Sequence, residues 1–224
     1  MAEVNELFRW AGQLGYCTIG ISLPPCTPEG IVNRFHALAR EHGLEPVSRV
    51  DLKPETPNEL LQSLRRLRRK YVVVAVECRT KQVARQAAKD HRVDILNFPF
   101  TYERSWFDMA EAELASSSNA NLEINIVEIL QADNTGLLKI FTELRRRLTI
   151  AEKSRIGIVV SSGAESAINL RGPRDLIAFI NLFGLSLESS KAAVSSYPLE
   201  IIKRNKEKLS QSLELGVKLV NVGL

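Results

Sequence analysis

Histidine is scarce in this sequence. Its three copies, His36, His42 and His91, are scattered, and none stands at ligand spacing from another. A cluster of His and Asp holding metals, as hydrolytic metal centres need, has no basis in that pattern. Cysteine is equally sparse. Cys17, Cys26 and Cys78 are irregularly spaced, which excludes a disulfide framework and a zinc-binding motif. They are expected to be small buried hydrophobes in a reducing compartment. No G-x-G-x-x-G or G-x-x-x-x-G-K-[ST] phosphate cradle occurs, and no G-x-S-x-G elbow surrounds a serine. Aromatic residues make up 6% of the chain, with no stacking platform interleaved with its arginines. Neither a signal peptide nor a long apolar run appears, so a soluble, cytoplasmic protein is expected.

Charge and core-forming residues are what the chain does have. Thirty Lys and Arg against 26 Asp and Glu give a net charge of +4 and a pI near 9.0. That mild excess leans toward a polyanionic partner. Hydrophobic residues, at 45%, suffice for a sizeable core, and 1–224 reads as one domain.

Periodicity gives alternating elements. An apolar stripe of Val4, Leu7, Phe8, Ala11 and Leu14 predicts a helix over Glu3 to Leu14, followed by a strand over Tyr16 to Ile21. Thr27 and Pro28 open a helix to His42, and Pro46 to Leu52 is a strand. Further helices are predicted over Asn58 to Lys70, Thr80 to His91 and Trp106 to Ser117, and from an Asn134 or Thr135 cap to Lys153. Strands are predicted over Tyr71 to Glu77, Val93 to Asn97, Leu122 to Val127 and Ile156 to Val160, with a loop at Pro99 to Ser105. Strands and helices alternating at these lengths form βαβ units around a parallel sheet. The pattern by itself allows a doubly wound open sheet or a barrel.

The last third has its own character. The buried run ending at Val160 is followed by the polar turn Ser161-Ser162-Gly163, then Arg171-Gly172-Pro173-Arg174-Asp175. Pro173 suits the first position of a helix and Gly184 the residue past its end. Two more helices start near Ser186 and at Pro198. The segments SSGAESAINLRGPRDL and SLESSKAAVSSYPLEIIKR resemble the protein component 3 family of archaeal ribonuclease P, whose eukaryotic counterpart is the thirty-kilodalton subunit.

That resemblance implies a TIM-like α/β barrel, related to the PHP phosphoesterases, with extra C-terminal helices. Family members carry a strand before the first helix. Met1-Ala2 leaves no room for one, so six parallel strands and an incompletely closed barrel are expected. It also implies an RNA-binding subunit that supports RNA-catalysed removal of 5′ leaders from precursor tRNA. The chain would bind no cofactor, Mg2+ serving the RNA. Its partners would be ribonuclease P RNA, other ribonuclease P proteins and protein component 2, a small α/β-sandwich subunit, with two copies of each forming a tetramer. The alternative is a free-standing metal-dependent phosphoesterase of the PHP type.

Candidate RNA contacts are the run Arg65, Arg66, Arg68, Arg69 and Lys70, the turn residues Ser161 and Ser162, and Arg171, Arg174 and Lys191. Cations at a helix end also complement its dipole, so the run, like Arg145-Arg146-Arg147, admits a purely structural reading. Arg174 stands against the dipole at a helix start. That position calls for a carboxylate partner or a phosphate. The two serines either satisfy their own turn or touch phosphate. Lys203 and Arg204 extend the third basic group. Asp51, Glu77 and Glu128 fall at strand ends, where a barrel would gather them on one face.

Overall fold

The computed structural model describes residues 2–100 and 106–210. Six parallel strands, β1 (Thr18–Ser22), β2 (Glu45–Leu52), β3 (Val73–Glu77), β4 (Ile95–Asn97), β5 (Asn121–Asn125) and β6 (Ile158–Ser161), pair in sequence order. Helices α1 (Ala2–Gln13), α2 (Glu29–Glu41), α3 (Pro57–Leu67), α4 (Lys81–Lys89), α5 (Met109–Ser118), α6 (Ile126–Leu130) and α7 (Asn134–Lys153) precede or connect them. After β6 come a short 3-10 turn (Ala167–Asn169), α8 (Pro173–Leu182), α9 (Leu187–Val194) and α10 (Ser196–Ser210). None of the described helices is long and apolar enough to cross a membrane.

Strand alternation sorts the core into two layers. Val50, Leu52, Val74, Val76, Leu96, Leu122, Ile124, Ile158 and Val160 face outward into the main cluster with α3, α4, α5, α7 and α8. Val47, Val73, Ala75, Ile95 and Val159, of the other parity, face inward and meet Ile201 of α10. The sheet is thus a curled half-barrel, lined inside by a small apolar layer and plugged by α10 at the strand N-terminal opening. Leu60, Leu64 and Leu67 show why α3 sits where it does. They form one fully apolar stripe, and truncating any of them to Ala would cost about 2–5 kcal/mol.

The first and last strands do not pair with each other. Tyr16 packs against both the main cluster and the smaller one around Phe8, Ala11, Ile21, Ala39 and Leu44. Its hydroxyl donates to the Arg171 carbonyl at 2.7 Å. One side chain therefore ties α1 and β1 to the segment that follows β6. On that segment Gly163 has φ +61°, and the Asn125 amide fills the space where a Cβ would stand.

Several boundaries differ from the sequence reading, each for a local reason. The helix expected from Trp106 begins at Met109, because Asp108 caps it through the amides of Ala110 and Glu111. Asp133, not Asn134 or Thr135, caps α7 by accepting from the Gly136 amide at 2.7 Å. The fifth strand stops at Asn125, whose side chain accepts from the Val127 amide and starts α6. Thr27 donates to the Pro24 carbonyl and caps nothing, and α10 begins at Ser196, two residues before Pro198. Of the cysteines only Cys78 is buried; Cys17 and Cys26 are exposed. The loop expected over Pro99 to Ser105 lies, from residue 101 onward, outside the described residues.

Candidate nucleic-acid interface

The basic run at the end of α3 is divided by the helix period. Thr56 caps α3 and Pro57 opens it, and the buried stripe Leu60–Leu64–Leu67 faces the sheet. Arg65, Arg66, Arg69 and Lys70 consequently face solvent. Arg68, one turn beyond Leu64, turns inward. Its guanidinium lies 3.2 Å from Asp94 and donates to the carbonyls of Tyr71 and Val72. Asp94 is buried and also accepts from the Val74 amide at 2.9 Å, from Arg204 at 3.1 Å and from Asn205 at 2.8 Å. Two arginines from separate predicted groups, Arg68 and Arg204, thus converge on one carboxylate.

The second cluster divides similarly. Arg147 is buried, donates to Glu143 at 2.8 Å and to the Phe98 carbonyl, and stacks 4.2 Å from the Phe100 ring centroid. Burial holds its guanidinium below the usual arginine range despite Glu143. Arg146 pairs with Glu143 and donates to the Phe107 carbonyl, while Arg145 is exposed.

The turn after β6 is internally satisfied in part. The buried Ser162 hydroxyl donates to the Asn169 carbonyl and accepts from the Arg171 amide at 3.1 Å. Arg171 donates to the carbonyls of Ile168 and Leu170, both at 2.9 Å, and so braces the same loop. Ser161 is different: its hydroxyl is buried and has no hydrogen-bond partner. Asp175 accepts from the Gly172 amide at the start of α8. Arg174 and Lys191 are exposed, as is Lys203.

The strand C-terminal mouth collects the carboxylates. Asp51 accepts from Arg49 at 2.7 Å and from Ser22. Glu77 pairs with Arg79 at 2.6 Å and Lys53 at 3.4 Å. Glu128 sits deeper, accepting from the Phe100 amide at 2.8 Å, and burial pushes its carboxyl up. Sequence reasoning missed Glu123, which is buried against Arg49 at 2.6 Å. The available signal was parity, since Glu123 shares the inward register of Asn97 and Val159. Asp51, Glu77 and Glu123 each hold a cationic side chain, so none stands ready as a general base. Among the described residues no three His, Cys, Asp or Glu side chains are grouped to hold a metal ion.

The family model described as RNase P subunit p30 matches residues 4–210. The chain belongs to the RNase P subunit p30 family. It is similar to ribonuclease P protein component 3 of Methanosarcina barkeri, with 27% identity over 208 residues, covering 91% of this chain and 84% of the relative. The component 3 of Methanocaldococcus jannaschii is 28% identical over 164 residues, 73% of this chain and 71% of that one. A chain in a cryo-EM structure of archaeal ribonuclease P with mature tRNA has the same fold. The TM-score is 0.86 at 23% identity, over 96% of this chain and 94% of the other. Within this p30 fold, the exposed cations are those at the end of α3 and along α10, together with isolated ones such as Arg145, Arg174 and Lys191.

Proposed function

We propose that the chain is an RNA-binding protein subunit of a cytoplasmic ribonuclease P, supporting RNA-catalysed removal of 5′ leaders from precursor tRNA. The observation that carries this reading is the p30 family match over residues 4–210. The side-chain inventory agrees with it. Arg65, Arg66, Arg69 and Lys70 are free to neutralise phosphates, while the mouth carboxylates are tied to cations. The Mg2+ of the reaction serves the RNA. No observation favours the free-standing phosphoesterase. The test is titration of ribonuclease P RNA with the purified chain at several salt concentrations. Affinity should fall steeply with salt, because each phosphate contact releases counterions. Affinity unchanged between low and high salt would contradict the reading.

The chain works with other ribonuclease P proteins, and its partner is protein component 2, with two copies of each in a tetramer. In support, α7, α8 and α9 expose a greasy surface. Leu138 is 72% exposed, Leu182 76% and Leu187 55%, beside the Phe141–Phe183–Phe179 ring cluster. Such a patch on one side of a soluble subunit is costly unless covered. Light scattering of the mixed subunits should give one species of that stoichiometry. Two separate monomer peaks at micromolar concentration would argue against it.

A further inference from the structure

Every helix of a βα repeat runs back against its strand. Helix C-termini therefore gather at the strand N-terminal end, where cations are favoured. The last turns of α2, α3, α4 and α7 carry Arg40, Arg65 and Arg66, Lys89, and Lys153. Helix α10 then lies across this same opening. Ile201 enters the inner apolar layer, Asn205 donates to the Val72 carbonyl at 2.9 Å, and Arg204 donates to the Asn119 carbonyl at 3.1 Å. It brings Lys203, Lys206 and Lys208 to the face, of which Lys206 is paired with Glu45.

At the centre of the face the charges do not balance. Arg68 and Arg204 share the single buried carboxylate of Asp94. Lys208 lies within their field, and burial together with Arg204 and Arg68 holds its ammonium below the usual lysine range. The Arg204 Nε is buried without a hydrogen-bond partner. Three cations around one carboxylate leave a positive surplus, and Arg65, Arg69 and Lys70 rim it without carboxylate partners among the described ion pairs. At the opposite mouth Arg49, Lys53 and Arg79 are matched by Asp51, Glu77 and Glu123. Barrels of this kind place their chemistry at the strand C-terminal end. Here the unmatched positive charge is at the other end.

We propose that the strand N-terminal face, crossed by α10, is the surface on which RNA phosphates dock. Arg65, Arg69, Lys70, Lys203 and Lys208 make the contacts. Arg68 and Arg204 are positioning residues: through Asp94 they lock the end of α3 to α10 and so fix the spacing of the contacting cations. This rests on the RNA-binding reading above and adds to it which face is used.

The experiment compares two variants of the full chain, each losing four positive charges from exposed side chains. One is Arg65→Gln/Arg69→Gln/Lys203→Gln/Lys208→Gln on the N-terminal face. The other is Arg9→Gln/Arg34→Gln/Lys53→Gln/Lys139→Gln elsewhere, at exposed cations outside every candidate RNA contact. Both are checked by circular dichroism and titrated into a transcribed archaeal ribonuclease P RNA over a salt series. The face variant should lose about tenfold or more in affinity, and its salt slope should fall by about one per lost contact. The second variant should keep the slope of the unmodified chain. Equal losses in both variants, or loss in the second alone, would overturn the assignment. A face variant that binds RNA normally but fails to associate with protein component 2 would make this a protein interface and also overturn it. If the unmodified chain does not bind the RNA at all, the RNA-binding reading itself falls, an outcome distinct from failure of the face alone.

Discussion

Arg49 on β2 grips Glu123 on β5 through both of its terminal nitrogens, at 2.6 Å each. Two strands lie between them. In a flat sheet their backbones would stand about 14 Å apart with parallel side chains. The contact exists because the sheet curls and inward-facing side chains converge. The same guanidinium holds Asp51 at 2.9 and 2.7 Å. One arginine therefore ties together two strands across the inside of the half-barrel, and it fills with a fixed cation the mouth where clustered carboxylates would otherwise face each other.

Arg49→Met should accordingly destabilise the fold strongly. Glu123 would be left buried beside no cation, which costs about 3–5 kcal/mol. The double replacement Arg49→Met/Glu123→Leu should recover much of that loss, since removing both charges removes the desolvation penalty. Urea denaturation of the two variants checks the pair. A double variant no more stable than the single one would show that the pair is not the main interaction of Arg49.

Asp94→Asn is predicted to be worse for the fold than any loss of a surface charge. Arg68 and Arg204 would face each other without their shared carboxylate, at a cost of about 3–5 kcal/mol. By contrast Arg65→Gln should change the denaturation midpoint little, because its side chain is solvated. Thermal unfolding of both variants separates these cases.

Tyr16 links stability to alkaline pH. Burial, with the nearby Asp175 charge, raises its phenol from 10.0 to about 12. The folded state therefore favours the protonated form. That contribution is complete below pH 10 and is lost as pH rises from 10 through about 12. Tyr16→Phe should lose about 1 kcal/mol with its bond to the Arg171 carbonyl and show a shallower decline over this interval. Denaturant midpoints measured from pH 9 upward test it; parallel profiles for the two proteins would count against the assignment.

How much of this was legible beforehand depended on distance along the chain. The six strands and their parallel sense followed from alternating apolar runs and helical stripes, which are local signals, whereas their sequential order in the sheet was implied only by the family resemblance. The Ser-Ser turn and the Pro173 helix start were likewise local. The basic clusters were harder. Adjacent arginines look equivalent in sequence, yet the helix period sends Arg68 and Arg147 inward and leaves Arg65, Arg69 and Arg145 outside. The Leu60–Leu64–Arg68 spacing held that information, whereas the partner Asp94, 26 residues on, could not be inferred from it. Arg49 and Glu123 are farther apart still, 74 residues, and meet only through the curl of the sheet. Small cap choices, such as Asp108 over Trp106, turned on which of several suitable residues could reach a free amide.

The most direct test of the account is cleavage of precursor tRNA by reconstituted components over a magnesium series. The chain alone should cleave nothing at any magnesium concentration. With ribonuclease P RNA and protein component 2, cleavage should appear at a lower magnesium concentration than the RNA needs by itself, since neutralised phosphates let it fold and hold substrate. Magnesium-dependent cleavage by the RNA-free chain, abolished by replacing Asp51, Glu77 or Glu128, would contradict the account and make the chain a hydrolase in its own right.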